Sequence, residues 1–257
     1  GYYADFGALP DLARTLRGVF FHDGRWSHFR QRSHGRPVDT ARLPGWKFLA
    51  YLQNHDQVGN RATGDRISAT LSPGLLACGA ALVLCSPYTP MIFMGEEWGA
   101  ATPFQFFSFM PDAALRETIR HGRYAEFAEH GWDDADVPDP NDEQTFLRSR
   151  LDWSEPGSVP HAALLHLYRE LIALRKGRPE LSDPRLDRLT VDVNVDARTL
   201  VLHRGALRVV VNLGAQPVTV ALDGQPTEVL LSSGHVTTAQ DSVLLDGESF
   251  AVIALAT

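Results

Sequence analysis

The sequence predicts an α/β fold over residues 1–180 and an all-β fold over 181–257, a small antiparallel β-sandwich. Three observations carry this. Helical and short apolar strand patterns alternate up to about residue 180. Residues 46–98 read as strand, polar loop, helix, strand, polar loop, a crossover that makes the two strands parallel. From Leu189 onward, short runs at 199–203, 207–212, 218–222 and 250–254 are separated by the turn pairs Gly205-Ala206, Gly214-Ala215 and Asp223-Gly224.

The first helix follows Pro10 and Asp11, with Leu12, Leu16, Val19 and Phe20 on one apolar stripe. Residues 24–42 carry Gly, Ser, Pro, His and Arg without a period and read as a long irregular loop. The run WKFLAYLQ at 46–53 has the length and continuity of a strand covered on both faces. Ser72 and Pro73 open a helix, since Ser caps free amides and Pro is tolerated at the first helical position. That helix is apolar nearly all round through Cys85, and Ser86, Pro87 and Pro90 break it. A second short buried strand is expected at 91–94. Residues 103–110 are rich in Phe, 113–130 have helical composition, and 132–141 form an acidic loop. Pro160 opens the most regular helix, with Leu164, Leu167, Tyr168, Leu171, Ile172 and Leu174 on its apolar face and Gly177 and Pro179 at its stop.

At 257 residues, 44% hydrophobic and 21% charged, the chain has the composition of a packed globular protein. Its 24 Lys and Arg against 31 Asp and Glu leave a formal charge of -7 with no cationic block, so nucleic acid is a poor partner. The longest apolar run, 75–85, is far below the ~20 residues of a membrane span. Cys78 and Cys85 lie seven apart on one helix, about 10.5 Å along its axis, too far for a disulfide. Two such thiols point to a reducing compartment, the cytoplasm.

The chemistry concentrates in the octet Asn54-His55-Asp56-Gln57-Val58-Gly59-Asn60-Arg61, directly after the first buried strand. Loops at the carboxyl ends of parallel strands face the ligand site. Glu96, Glu97 and Trp98 leave the second strand in the same relative position, so both clusters are expected on one face. Carboxylates accept paired hydrogen bonds from neighbouring hydroxyls, His donates, and aromatic faces pack on sugar rings, which suits a polyhydroxylated ligand. Plainer readings stand beside this one. Asn-His-Asp also suits a turn whose side chains bond the backbone, Glu96-Glu97 an exposed strand end, and the phenylalanines at 104–109 a core. Adjacent His55 and Asp56 without further spaced ligands do not suit a metal. No nucleophile elbow, phosphate loop or dinucleotide fingerprint is present.

FLAYLQNHDQVGNR (48–61) followed by SPYTPMIFMGEEWGAATPF (86–104) resembles glycoside hydrolase family 13, the α-amylase superfamily, at its fourth conserved region and eighth barrel strand. GYYADFG (1–7), HGRP (34–37), VPDPNDEQTF (137–146) and LDW (151–153) match its trehalose-releasing subgroup. The resemblance implies that residues 1–180 are the C-terminal portion of a (β/α)8 TIM barrel. It implies Asp56 as transition-state stabiliser and His55 and Glu97 as substrate contacts; Asn54, Gln57, Arg61 and Trp98 are expected as further substrate contacts by their position beside these. It implies a retaining glycosidase acting on maltooligosyltrehalose or a maltooligosaccharide, with no cofactor and no metal. The family's nucleophilic Asp and general-acid Glu lie upstream of this region. Only Asp5, Asp11, Asp23 and Asp39, and no Glu, precede residue 46. The chain is therefore expected to lack both, to need an N-terminal part of the same protein, and to be inactive alone. A noncatalytic carbohydrate-binding module and a debranching or branching enzyme of the same family are the rival readings.

Overall fold

The computed structural model describes residues 5–129, 131–133 and 136–256. The first four residues of the 1–7 motif, the last residue of the helix expected at 113–130, and two positions of the 132–141 loop lie outside the described residues. In chain order the elements are α1 (Leu9–Gly18), β1 (Asp23–Ser27), β2 (Arg32–Gly35), β3 (Leu49–Ala50), α2 (His55–Gly59), α3 (Pro73–Leu84), β4 (Thr89–Pro90), α4 (Ala113–Ala128), α5 (Glu143–Arg148), α6 (His161–Gly177) and α7 (Pro179–Ser182). The strands β5 (Thr190–Asn194), β6 (Thr199–Arg204), β7 (Leu207–Asn212), β8 (Val218–Ala221), β9 (Pro226–Ser232), β10 (Val236–Thr238), β11 (Ser242–Leu245) and β12 (Ser249–Leu255) follow. Among the described residues no helix is long and apolar enough to cross a membrane. The chain divides into two compact units, one of Gly1–Ala50, Ser72–Met91 and Leu167–Thr257, the other of Tyr51–Leu71 and Ile92–His166.

The first unit holds the sheets. A five-stranded sheet of order β5-β6-β7-β12-β9 and a three-stranded sheet of order β10-β11-β8 are antiparallel throughout. Val201, Val210, Ala251, Ile253 and Leu255 of the larger sheet pack with Leu222, Val243 and Leu245, the apolar layer of a sandwich. The alternate residues Leu200, Leu202, Val209, Val211, Phe250 and Val252 are buried as well. The reason is α3, which lies against β7 and β12 and covers the sheet's other face. Ser72 caps α3 by accepting from Leu75 N at 3.1 Å, and its hydroxyl donates to Glu248 at 2.5 Å. Both cysteines are buried and free.

Beyond the sandwich, β3 and β4 are parallel, as the crossover requires, with Leu49 opposite Thr89 and Ala50 opposite Pro90. Their extents differ from the sequence expectation. Instead of a strand over 46–53, a 3-10 turn occupies Gly45–Lys47 and the strand is two residues long. Among the described residues β3 pairs with β4 alone, and Trp46 and Leu49 remain 60% and 59% exposed rather than covered. The second strand sits at Thr89–Pro90, not at 91–94. Ladder bonds from Thr89 N to Phe48 O and Met91 N to Ala50 O flank Pro90, which has no N–H to give.

Two more expectations are corrected. The irregular stretch at 24–42 contains the antiparallel hairpin β1–β2, with Trp26 opposite Ser33 and Ser27 opposite Arg32. Backbone pairing forms it without apolar alternation, and the Asp5 carboxylate braces its tip by accepting from His28 N at 3.0 Å. In α1, Ala13 and Leu16 are the buried residues, whereas Leu12 and Phe20 are 38% and 51% exposed. Val19, at φ 76°, ends the helix before the stripe can continue.

The second unit is helical and irregular: α2, α4, α5 and the first turn of α6, joined by loops. The expected helix at 113–130 is α4, capped by Asp112 accepting from Leu115 N at 2.8 Å.

Candidate functional site

All seven residues singled out from the sequence fall in the second unit. Asn54 is extended (φ -143°, ψ 177°) and its Oδ1 accepts from Gln57 N at 2.8 Å, so it is the N-cap of α2. The turn chemistry read as an alternative for this motif is thus present. It also serves the site, because it lifts the next two side chains into solvent. His55 and Asp56 are 69% and 73% exposed, with His55 Nε2 3.3 Å from Asp56 Oδ1. Gln57 is exposed, while Val58 and Gly59 are buried and anchor the turn. Arg61 pairs with Asp65, Nε to Oδ2 at 2.8 Å and Nη2 to Oδ2 at 2.5 Å. That bond holds the Asp65 carboxyl below its ordinary value and raises Arg61.

Glu96, Glu97 and Trp98 form one 3-10 turn between Gly95 at φ 86° and Gly99 at φ 66°. At Gly95 a Cβ would lie 2.7 Å from Leu151 Cδ2 and 2.8 Å from Ala100 Cβ, so glycine is required by space as well as by conformation. Glu97 is half-buried, and its Oε2 is buried without a hydrogen-bond partner among the described residues. Trp98 is 3% exposed, its Nε1 donates to Glu155 Oε2 at 3.0 Å, and its ring lies 5.3 Å from Trp153. In this arrangement Trp98 is a covered pillar beneath the turn and not an open platform.

Sequence reasoning missed three residues that build this site. Arg66, 2% exposed, donates from Nε to Thr102 O at 2.6 Å and from Nη1 to Met94 O at 2.8 Å, gripping both ends of the turn that carries Glu97. Burial lowers its pKa against the opposing pull of Glu155, Glu96 and Glu97. Glu155 also accepts from Ala101 N at 3.3 Å. Arg123 donates to the carbonyls of Gly59 and Arg61 behind the octet. A buried Arg looks like any surface Arg in sequence; only a tertiary partner distinguishes it.

The two clusters are joined through residues 64–66. Gly64 O accepts from Phe104 N at 2.8 Å, two residues before the Arg66 grip. Phe93, Phe104, Phe107 and Phe146 follow one another edge-on at 5.2, 5.6 and 5.3 Å, so Phe104 and Phe107 of the Phe-rich stretch are packing, whereas Phe106 and Phe109 are exposed. The product is an exposed His–Asp pair and a half-buried carboxylate on turns laced together from behind. An ionised carboxylate with open lone pairs accepts two hydroxyls, and an adjacent imidazole supplies a donor, the requirements for gripping a sugar ring.

The chain is similar to known proteins over most of its length. Residues 184–252 match the family model described as Domain of unknown function (DUF3459). A malto-oligosyltrehalose trehalohydrolase of Mycobacterium tuberculosis is 56% identical over 205 residues, 80% of this chain and 35% of the relative. One of Arthrobacter ramosus is 58% identical over 179 residues, 70% of this chain and 31% of the relative. A crystal structure described as "Putative alpha Amylase from Salmonella typhimurium" superposes with a TM-score of 0.82 at 35% identity, covering 99% of this chain and 43% of that one. The chain thus spans about a third of the length of the curated relatives it matches. Carrying the NHD and GEEW turns, the chain is thus similar over 70–80% of its length to malto-oligosyltrehalose trehalohydrolases and over 99% of it to a putative α-amylase.

Proposed function

We propose that these 257 residues are part of a hydrolase that cleaves the α-1,4-glucosidic bond next to the terminal trehalosyl unit of maltooligosyltrehalose and releases trehalose. The observation that carries the reading is the solvent-open His55–Asp56 pair at 3.3 Å, in a chain 56% identical over 205 residues to a protein named for that reaction. Residues 1–180 are read as the late strands and loops of the catalytic (β/α)8 barrel, and 181–257 as the β-sandwich domain. Asp56 accepts hydroxyls of the sugar at the cleavage point and favours its distorted, oxocarbenium-like ring. His55 donates to the same ring, and Glu97 offers a second acceptor from a turn that Arg66 holds. Arg61 and Gln57 lie on the exposed side of the octet, where a neighbouring sugar would pass. Asn54 and Trp98 act through the turns they support. Two buried free thiols fit a reducing compartment.

Retaining cleavage needs a nucleophile and an acid about 5–5.5 Å apart. The reading assigns both to other residues of the whole protein, so the 257-residue chain alone should not turn over. In the full-length protein, Asp56→Asn should lower the rate of trehalose release from maltooligosyltrehalose by about 100-fold or more, as for loss of a transition-state contact. Unchanged release, or release by the 257-residue chain alone, overturns the assignment. Cleavage of branched glucan in place of maltooligosyltrehalose would point to a debranching or branching enzyme.

A further inference from the structure

The second unit contains a polar cavity of about 280 Å³ lined by Ala113, Arg116, Glu117, Arg120, Asp139 and Asn141. It shares no residue with the octet or with the Glu97 turn. We infer that this cavity, together with the ring of Phe109, is an additional subsite for a segment of α-1,4-glucan chain. The ligand class rests on the proposed function; the place and the chemistry rest on geometry.

The lining explains the class. Arg116 and Arg120 are balanced by Glu117 and Asp139, with Arg120 Nη2 donating to Glu117 Oε1 at 2.6 Å, so the cavity carries no formal surplus of either sign and selects neither an anion nor a cation. Donors and acceptors are interspersed, which matches a neutral polyol. The volume is near the lower end of ligand clefts, which run from about 300 Å³, and suits a short stretch of sugar rather than a whole oligomer.

Phe109 supplies the apolar half. Phe109 is 87% exposed, while the chain on both sides of it is tied to the cavity wall. On one side, Ser108 N donates to Pro140 O at 2.7 Å and Ser108 Oγ lies 3.2 Å from Asn141 Oδ1. On the other, Arg116 Nη1 donates to Met110 O at 3.3 Å. Asn141 Nδ2 closes the ring of contacts by donating to Arg116 O at 3.0 Å. A bare aromatic held on a braced backbone beside a hydrogen-bonding cavity presents the two surfaces a pyranose needs, a flat face for its C–H side and partners for its hydroxyls.

The test is calorimetric titration of the full-length protein with maltoheptaose. Asp56→Ala is the parent, so that binding through Asp56 is removed. The parent should retain measurable binding, and adding Phe109→Ala should weaken it about three- to tenfold, the usual range for one aromatic contact. Phe109→Trp should keep the affinity, and Arg116→Gln should weaken it. Phe109 is exposed, so its variants should melt with the parent and the comparison survives even if Arg116→Gln misfolds. Loss of all binding in the Asp56→Ala parent, or parent-like affinity in Phe109→Ala, overturns the subsite. Products of the full-length enzyme separate the two readings. Phe109-dependent binding without trehalose release removes the proposed reaction and leaves the subsite; trehalose release with Phe109-independent binding does the reverse.

Discussion

Arg123 donates from Nη2 to the carbonyl oxygen of Gly59 at 2.6 Å, across 64 residues of sequence. The same nitrogen reaches Arg61 O at 3.2 Å, and the guanidinium lies between the rings of Phe106 and Phe127 at 5.0 and 4.4 Å. The last carbonyls of a helix have no intrahelical partner. In α2 this cation supplies one, and so holds the short helix whose other end presents His55 and Asp56.

Replacing Arg123 with Met should therefore cost about 1.5–3 kcal/mol, the range for hydrogen bonds to a charged group, read as a lowered urea midpoint. Arg123→Lys should recover only part of this, because an ammonium lacks the flat fork that fits between two rings while reaching two carbonyls. Equal stability of Arg123→Met and the parent would show that solvent serves those carbonyls as well.

Gly64 and Gly122 make an opposed pair. Gly64 sits at φ +69°, and a Cβ there would lie 2.5 Å from Phe104 O and 2.6 Å from Phe104 C. Gly64→Ala should lose about 1–3 kcal/mol to backbone strain alone, with the collision added. Gly122 lies inside α4 with nothing within 4 Å of its Cβ position. Gly122→Ala should raise stability by about 0.5–1 kcal/mol, and thermal melts of both variants would show the opposite signs.

The two thiols should be silent in the folded protein. Burial pushes both Cys78 and Cys85 up to about 12, so almost no thiolate exists at pH 8. A disulfide reagent that reports thiol release should react only after denaturant is added. Rapid reaction of two thiols in native buffer would contradict their burial.

Acid should weaken the sandwich through Asp223. Hydrogen bonds from Arg208 Nε and Nη2, at 2.6 and 2.7 Å, hold its carboxyl down to about 2 from an ordinary 3.8. A folded-state value below the unfolded one means that the contribution is complete above about pH 4 and is lost as pH falls toward 2. Because the Asp223 side chain is 52% exposed, solvent screening keeps it small. Urea midpoints of the parent and Asp223→Asn should differ at pH 7 and converge at pH 2. A difference that grows toward low pH would reverse the sign.

Much of the fold was legible from local chemistry. The Ser72-Pro73 start produced α3, the run from Leu164 to Leu174 produced most of the apolar positions of α6, and alternating runs between turn pairs marked β6, β7, β8 and β12. The strand–helix–strand order implied the parallel pairing of β3 with β4. The hairpin at 23–35 was not legible, because backbone pairing and a carboxylate eighteen or more residues away define it rather than any periodicity. In the site, the octet and the GEEW turn were found from the residues themselves, whereas Arg66, Arg123 and Glu155 were not.

The sequence alone determined which side chains stand together as candidates for a ligand face, since NHD and GEEW are read from residue type and spacing. It also determined the helix starts and turns, which depend on neighbours only a few positions apart. Tertiary structure decided how those side chains are presented. It left His55 and Asp56 in solvent, covered Trp98, and recruited Arg66 and Arg123 to carbonyls 28 to 64 residues away. The physical reason is that capping and turn formation are local, whereas burial and the satisfaction of a guanidinium depend on which distant segments the completed fold brings within hydrogen-bonding distance.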